Sequence, residues 1–184
     1  MKLLMFLVDG FEDTEAIATL DVISRGGDEV DVVSLMNGYE VSPKYIYKVL
    51  TRKTIKDVSP SDYDGLIIPG GPGSFKIMPN IPEVEKYIRS FALNGKLVAS
   101  ICAAPHLVGQ LGFFVNRNYT VHPGFEDRIK GGNYLRDQGV VVDGNFITAK
   151  SMYYSIEFGL AIHEYFHGPV SKEKLRKACQ GEGQ

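Results

Sequence analysis

Hydrophobic residues fall into short continuous runs that alternate with amphipathic stretches along the chain. The runs within residues 3–8, 64–69 and 97–101 contain few polar side chains, which is typical of strands covered on both faces in a parallel sheet. A helix is predicted over residues 13–25, because acidic residues lie at its start and Gly26-Gly27 follows its end.

The rest of the chain repeats this alternation. Residues 37–63 have the weakest pattern, which indicates one or two short strands around Ile46 and Val49. Strands that alternate with helices from start to end predict an α/β sandwich with a mainly parallel central sheet. We expect one domain over residues 1–184, since no repeat, linker or low-complexity segment interrupts the pattern. The further predicted elements are strands at 29–35 and 119–122, a β-hairpin of 140–142 with 146–149, and helices at 82–94, 104–111, 154–166 and 171–178.

Four stretches with polar, glycine or cysteine residues directly follow predicted strands. In open α/β sheets, functional sites form outside the carboxyl ends of the strands. We therefore expect these stretches to meet at one edge of the sheet, although the pattern does not say which strands are neighbours. They are residues 9–15, 69–73, 102–104 and 119–122.

Cys102 lies where a buried strand turns into a predicted helix. The first N–H groups of a helix have no partner within it and carry the positive end of its dipole. A thiol at that point should lose its proton easily, which predicts a nucleophile or a redox centre. The alternative is a buried cysteine that serves as a small apolar residue.

An acidic residue and a glycine loop could complete such a site. Glu15 lies in the first turn of the first predicted helix, where Glu12 and Asp13 could fill the same role. Residues 70–73 read Gly-Gly-Pro-Gly and form either a simple turn or half of an oxyanion hole. They are not a phosphate loop, because the Lys-Ser/Thr of that motif does not follow.

The histidines give a weaker signal. His122 ends a predicted strand at the expected edge, so it is a candidate partner of the thiol. His106 lies inside the helix after Cys102, and His163 and His167 lie in a C-terminal helix, so we predict no metal-ligand set. Asp9 or Asp21 could be a third member of the site, and nothing in the sequence prefers either.

Composition and charge exclude several classes of protein. The net charge is −2 and the pI is about 6.1, so nothing indicates a nucleic-acid or anionic-membrane partner. The two cysteines, Cys102 and Cys179, do not form a disulfide framework. The apolar N-terminal run, residues 3–8, is too short for a signal peptide. We therefore expect a cytoplasmic protein.

The motifs together resemble the ThiJ/PfpI superfamily, in the branch of the parkinsonism-associated deglycase (DJ-one). Each motif alone is weak, but their order and spacing are specific and cover nearly the whole chain. The resemblance rests on LVDGFEDTEA around Glu15, GLIIPGGPG around Gly70 and Gly71, VASICAAP around Cys102, YTVHP at His122, and FITAK followed by SIEFGLAIHE.

This resemblance implies a flavodoxin-like three-layer sandwich and a homodimer. It implies that Cys102 is the reactive cysteine at a nucleophile elbow, and that Glu15, in preference to Glu12 and Asp13, hydrogen-bonds its sulfur. The backbone N–H groups of Gly71 and Ala103 are expected to face the site, with Gly70 beside them. His122 matches a histidine near the cysteine that is often not aligned as a protease dyad.

Two departures from the family pattern bear on function. PfpI-type peptidases have a histidine directly after the cysteine, where this chain has Ala103. The deglycase branch usually has a Gly-Pro-Gly or Gly-Pro-Ala loop after the last strand, where this chain has residues 151–154, Ser-Met-Tyr-Tyr. This loop is expected to reshape the pocket or the dimer contact. An arginine typical of the branch has no clear match, although Lys48 and Arg52 lie nearby.

The resemblance implies a cofactor-free cysteine enzyme of the glyoxalase or protein deglycase type, acting on a small carbonyl or glycated substrate. The alternative is an oxidative-stress redox sensor or chaperone that uses oxidation of Cys102. An intracellular peptidase or amidohydrolase of the PfpI type is a third reading, weakened by Ala103. We expect no metal and no cofactor.

Overall fold

A computed structural model describes residues 1–45 and 47–182. Short 3₁₀ turns connect several of its elements. In chain order, the elements are β1 (Lys2–Leu7), α1 (Asp13–Arg25), β2 (Glu29–Ser34), β3 (Glu40–Val41), β4 (Val49–Leu50), β5 (Lys53–Thr54), β6 (Gly65–Ile68), α2 (Pro72–Lys76), α3 (Pro82–Leu93), β7 (Leu97–Ile101), α4 (Pro105–Gly109), β8 (Asn118–Tyr119), β9 (Asn133–Tyr134), β10 (Val140–Asp143), β11 (Phe146–Ala149) and α5 (Ser155–Cys179).

A seven-stranded sheet in the order β10-β11-β7-β6-β1-β2-β5 forms the centre of the structure. Its neighbouring strands are parallel except for the β10–β11 hairpin, which is antiparallel. Helices cover both faces of the sheet. The predicted flavodoxin-like three-layer fold with a mainly parallel sheet is therefore confirmed.

The apolar core lies in two layers, one on each face of this sheet. Alternate side chains of β1 enter opposite layers, as the strand period of two requires. Phe6 packs with Phe91 of α3 on one face, and Met5 packs with Ile23 of α1 and Phe158 of α5 on the other. All five side chains are fully buried, which explains why β1 shows no hydrophobic alternation in the sequence.

The strand order reverses at β1, because β2 pairs on one side of it and β6 on the other. The loops that follow β1 and β6 therefore leave the sheet side by side at the carboxyl edge. The N–H of Glu12 donates to the carbonyl of Gly70 at 3.1 Å and ties the two loops together. Cys102 follows β7, the next strand along.

Most predicted elements are present with boundaries within one or two residues. The helix at 13–25 and the strand at 97–101 have the predicted bounds. The predicted strand around Val49 is present as β4, while Ile46 lies outside the described residues. The helices predicted at 154–166 and 171–178 form one run, α5, whose two parts are separated by Gly168 with φ 80° and ψ 170°.

The strand predicted at 119–122 is wrong beyond Tyr119. Pairing covers only Asn118–Tyr119, which forms a small parallel sheet with β9. The N–H of Thr120 donates to Thr148 Oγ1 at 2.9 Å, and the Thr120 hydroxyl donates to the Gln138 carbonyl at 3.1 Å. Hydrogen bonds that involve side chains therefore replace the backbone pairing of a β-strand at Thr120. Within residues 1–45 and 47–182, no helix is long and apolar enough to cross a membrane.

Candidate active site

Cys102 lies at a strained turn directly after β7. Its φ angle of 63° is in the left-handed region, which a side chain disfavours. Two backbone hydrogen bonds hold this conformation: the Cys102 N–H donates to the Ala149 carbonyl, and the Cys102 carbonyl accepts from the His122 N–H, both at 2.8 Å. The turn raises the sulfur above the edge of the sheet, as predicted for a nucleophile elbow.

The surroundings of Cys102 do not favour the predicted easy loss of its thiol proton. Burial raises the pKa of this thiol far above its usual value, and the charge of Glu15 raises it further. The N–H groups of Ala103 and Gly71 act in the opposite direction but do not compensate. The helix gives little help, because α4 begins three residues later at Pro105 and spans one short turn.

Glu15 provides the acid–base group beside this sulfur. Its side chain projects from the first turn of α1 and is only 1% exposed. Burial raises the pKa of Glu15 to about 7, although its interaction with Cys102 and the N–H of Gly70 lower it. Both protonation states are therefore accessible near neutral pH.

The two carboxylate oxygens of Glu15 have different surroundings. Oε2 accepts a hydrogen bond from the Gly70 N–H at 2.8 Å. Oε1 is buried and has no hydrogen-bond partner among the described groups. An unpaired buried oxygen is costly in a folded protein, so Oε1 is the atom available to hold a proton or to bond a substrate.

The other acidic residues of this turn have other partners. Glu12 forms an ion pair with Lys44 at 3.1 Å. Asp13 accepts from the N–H of Thr14 at 2.9 Å, and its carboxylate raises the pKa of Tyr47 in addition to the effect of burial. The choice of Glu15 over Glu12 and Asp13 thus agrees with the geometry.

Gly70 and Gly71 have different roles, which corrects the prediction that both contribute to an oxyanion hole. The N–H of Gly70 is occupied by Glu15, so this residue positions the acid. A Cβ atom at Gly70 would lie 2.7 Å from both Cys102 Cβ and Glu15 Oε2, so only glycine fits there. Gly71 has a φ angle of 90°, and its N–H and that of Ala103 act to lower the pKa of the Cys102 thiol.

His122 lies at the rim of the site and is exposed. Its ring atom Nδ1 lies 3.0 Å from the Pro123 carbonyl. The Nδ1 atom is therefore paired with this carbonyl and not with the Cys102 sulfur, as it would be in a protease dyad. His106 is buried behind the site, and its Nδ1 lies 2.7 Å from the Ala103 carbonyl. Burial lowers the pKa of His106, which suits a neutral, structural imidazole.

A cavity of about 390 Å³ opens over Cys102 and Glu15. Lys44 also lines this cavity, and the sequence did not predict it. A hydrogen bond from the Lys44 N–H to the Phe11 carbonyl holds its loop at the rim. Lys48 and Arg52, which lie near the expected position of the family's arginine, are elsewhere. Lys48 pairs with Glu40, and Arg52 lines a different cavity. The walls also include Pro72, Phe75, His122, Phe125, Ser151 and Met152.

The unusual loop after β11 contributes to this cavity, as predicted. Ser151 and Met152 line its wall. Tyr153 is 81% exposed and faces solvent. The Tyr154 ring packs against Gly139, where an added Cβ would lie within 2.1 Å of it. Met152 is therefore the residue of this loop that narrows the pocket.

The remaining histidines, His163 and His167, do not belong to this site. They come together with Asp28 at the opposite edge of the sheet, where β1 and β2 begin. Sequence reasoning missed Asp28 because 139 residues separate it from His167.

Known proteins resemble this chain in sequence and in overall fold. A "Deglycase" of Pyrococcus abyssi is 34% identical over 151 residues, covering 82% of this chain and 90% of the relative. Drosophila melanogaster dj-1beta is 31% identical over 179 residues, covering 97% and 94% of the two chains. Its crystal structure has a TM-score of 0.90 to this one at 30% identity, covering 100% of this chain and 98% of that one.

A structure of oxidized Toxoplasma gondii DJ-1 has a TM-score of 0.87 at 26% identity and covers 100% of this chain and 99% of that one. The family model described as "DJ-1/PfpI family" matches residues 1–165 of the 184. The chain belongs to the DJ-1/PfpI family.

Proposed function

We propose that this protein is a cofactor-free cysteine enzyme that converts small reactive carbonyl compounds, such as methylglyoxal, to hydroxy acids. The observation that carries the proposal is that one cavity brings together Cys102, the Glu15 carboxyl, whose pKa is about 7, and the backbone of Gly71 and Ala103. Relatives named deglycases support a carbonyl-directed chemistry for the family.

The first step joins the thiol to the aldehyde. Burial raises the pKa of the Cys102 thiol and favours its protonated form at neutral pH. A neighbouring base must therefore accept the thiol proton. Glu15, ionised above about pH 7, accepts this proton as the sulfur attacks the aldehyde carbon. The carbonyl oxygen becomes an alkoxide held by the N–H groups of Gly71 and Ala103, then takes the proton back from Glu15 to give a hemithioacetal and an ionised Glu15.

The second step moves a proton between the two substrate carbons. Glu15 removes the C1 proton, and the electron pair forms an enediolate whose negative charge lies on the C2 oxygen. The proton of the C1 hydroxyl moves to that oxygen, and Glu15 returns the abstracted proton to C2. The product is a thioester of lactate on Cys102. Water then cleaves the thioester, which releases lactate and restores the thiol, so that methylglyoxal plus one water gives lactate without any oxidant.

The cavity walls match a small substrate of this kind. Phe75, Phe125 and Met152 supply apolar surface, and Lys44 supplies a positive charge at the rim. A volume of about 390 Å³ accepts methylglyoxal and also leaves room for the side chain of a glycated residue.

The test is production of lactate from methylglyoxal by the purified protein in the absence of glutathione. Cys102→Ala and Glu15→Gln should each reduce kcat/KM at least about 10²-fold, the range for loss of a positioned acid–base group. His122→Ala should retain activity within about fivefold, because its Nδ1 is held by Pro123. Unchanged rates for Cys102→Ala and Glu15→Gln would contradict the mechanism.

A redox sensor based on Cys102 is the second candidate. The observation that favours it is the unpaired Glu15 Oε1 beside the sulfur, because a protonated carboxyl there could donate to a sulfinate oxygen. A structure of an oxidized relative is also known. Protein that lacks carbonyl turnover but oxidises selectively at Cys102, and not at Cys179, would favour this function.

A further inference from the structure

We propose that Asp28, His163 and His167 form a binding site for a divalent transition metal of the Zn²⁺ type. The site lies where β1 and β2 begin, so the central sheet separates it from Cys102, which follows the carboxyl end of β7. Imidazole nitrogens with a carboxylate oxygen are a ligand set that Zn²⁺ commonly uses.

Two elements supply the three ligands. His163 and His167 are four residues apart in the first part of α5, so their rings lie on one face of the helix, with centroids 4.5 Å apart. Asp28 follows the glycine turn after α1 and directly precedes β2. One ligand atom from each residue lies within 4.8 Å of the others.

The two separations between histidine nitrogens and Asp28 suit tetrahedral coordination. Zinc bonds of about 2.0–2.2 Å at tetrahedral angles place neighbouring ligand atoms about 3.3 Å apart. His163 Nδ1 lies 3.5 Å from Asp28 Oδ2, and His167 Nε2 lies 2.9 Å from both oxygens of Asp28. Small side-chain adjustments would bring all three onto one ion.

A buried, unpartnered nitrogen points to a ligand at this place. The His163 side chain is 3% exposed, and its Nδ1 has no hydrogen-bond partner. The Asp28 carboxylate, 2% exposed, is beyond hydrogen-bond range at 3.5 Å. A cation between the two atoms would satisfy both.

The surroundings of His163 support this role. Its other ring nitrogen, Nε2, lies 2.8 Å from the Ser171 hydroxyl, which fixes the ring and leaves Nδ1 facing Asp28. Gly26 leaves the necessary space, because a Cβ there would lie 2.5 Å from His163 Nδ1. His167 is 32% exposed, so water could reach a fourth coordination position.

In the absence of metal, the Asp28 charge has other partners. The Met1 α-amino group donates to Oδ1 at 2.6 Å, and His167 Nε2 lies 2.9 Å from both oxygens. Metal binding would replace the contact between His167 and Asp28 and leave Oδ2 as the ligand nearest His163. Metal ligands must be deprotonated, so binding should weaken as the pH falls.

The experiment is zinc titration of the Cys102→Ser/Cys179→Ser variant, in which thiols cannot bind the ion. Isothermal titration calorimetry should give about one Zn²⁺ per chain, and free Zn²⁺ at about 100 times Kd should raise Tm by about 5–10 °C. Co²⁺ should show the intense visible absorption of tetrahedral coordination. Absence of binding in this variant would overturn the proposal.

Ligand variants in the same background locate the site. His167→Ala should abolish the calorimetric binding and the cobalt absorption, and Asp28→Asn should weaken zinc binding at least about tenfold. His122→Ala is the matched control and should bind as tightly as its parent. Far-UV circular dichroism checks folding, and undiminished binding by both folded ligand variants would overturn the assignment. These readouts do not depend on catalysis.

Discussion

At the residue scale, Glu15 couples stability to function. Its carboxyl is buried against Cys102 and Gly70, and burial raises its pKa from 4.5 to about 7. The folded chain therefore binds the Glu15 proton more tightly than the unfolded chain does. This contribution to stability is complete below about pH 4.5 and is lost as the pH rises through 7.

Glu15→Gln should therefore stabilise the fold at alkaline pH while it abolishes the proposed activity. A difference of 2.5 pKa units corresponds to up to about 3 kcal/mol, and Gln can still accept from the Gly70 N–H. Urea denaturation at pH 5 and pH 8 measures the effect as the difference between variant and wild type. The exposed residue Glu83 provides the control, since Glu83→Gln should leave the pH dependence unchanged. Equal pH dependence of Glu15→Gln and wild type would contradict the buried-acid assignment.

The sequence identified Cys102 and Glu15 because each follows a recognisable strand and carries a family motif. It did not identify Lys44, which reaches the cavity by a loop contact with Phe11. It also did not show that Glu15 would occupy the N–H of Gly70. Such contacts depend on how loops cross the edge of the sheet. The spacing of residues along the sequence does not predict them.

At the element scale, the most predictable parts are those defined by local pattern. Continuous apolar runs predict β1, β6 and β7, because a strand buried on both faces has apolar side chains at successive positions. The short strands β3, β5 and β9 have only two residues each, so their partners decide their conformation. In the 119–122 segment, hydrogen bonds that Thr120 donates to Thr148 and Gln138 overrode local β propensity.

The break in α5 provides a test at this scale. Gly168 adopts φ 80° and ψ 170°, a region that is nearly restricted to glycine. An added Cβ there would meet no atom within 4 Å, so substitution changes only the backbone energy. Gly168→Ala should lower the free energy of unfolding by about 1–3 kcal/mol.

Urea denaturation in a metal-free buffer measures this change. Gly38→Ala is the matched control, because Gly38 has no positive φ and an added Cβ would also meet nothing. That variant should change stability by less than about 0.5 kcal/mol. Equal effects of the two substitutions would show that the Gly168 backbone is not strained for alanine.

At the scale of the whole molecule, the central sheet separates two chemical regions. Cys102 and Glu15 lie beyond its carboxyl edge, and the Asp28–His163–His167 cluster lies at its amino edge. A third region is apolar: a cavity of about 370 Å³ beside α1 and β4 has Ile17, Val49 and Leu50 on its walls. Leu50 is 78% exposed and Ile17 is 47% exposed.

We propose that a second copy of this chain covers that apolar region. The homodimer predicted from the family resemblance requires a face of this kind, because stable interfaces bury apolar side chains at their centre. Size-exclusion chromatography with light scattering should give twice the 20.4 kDa mass of one chain. Leu50→Glu should shift the protein towards the mass of one chain, since it would place a charge in the interface.

Leu93 provides a control for this substitution, because it is 74% exposed at the end of α3 and is not part of the cavity wall. Leu93→Glu adds the same charge to a similarly exposed leucine, so any general effect on solubility or folding appears in both variants. The proposal requires that only Leu50→Glu dissociates. A wild-type mass of one chain at all concentrations, or dissociation by both substitutions, would place the contact elsewhere or exclude it.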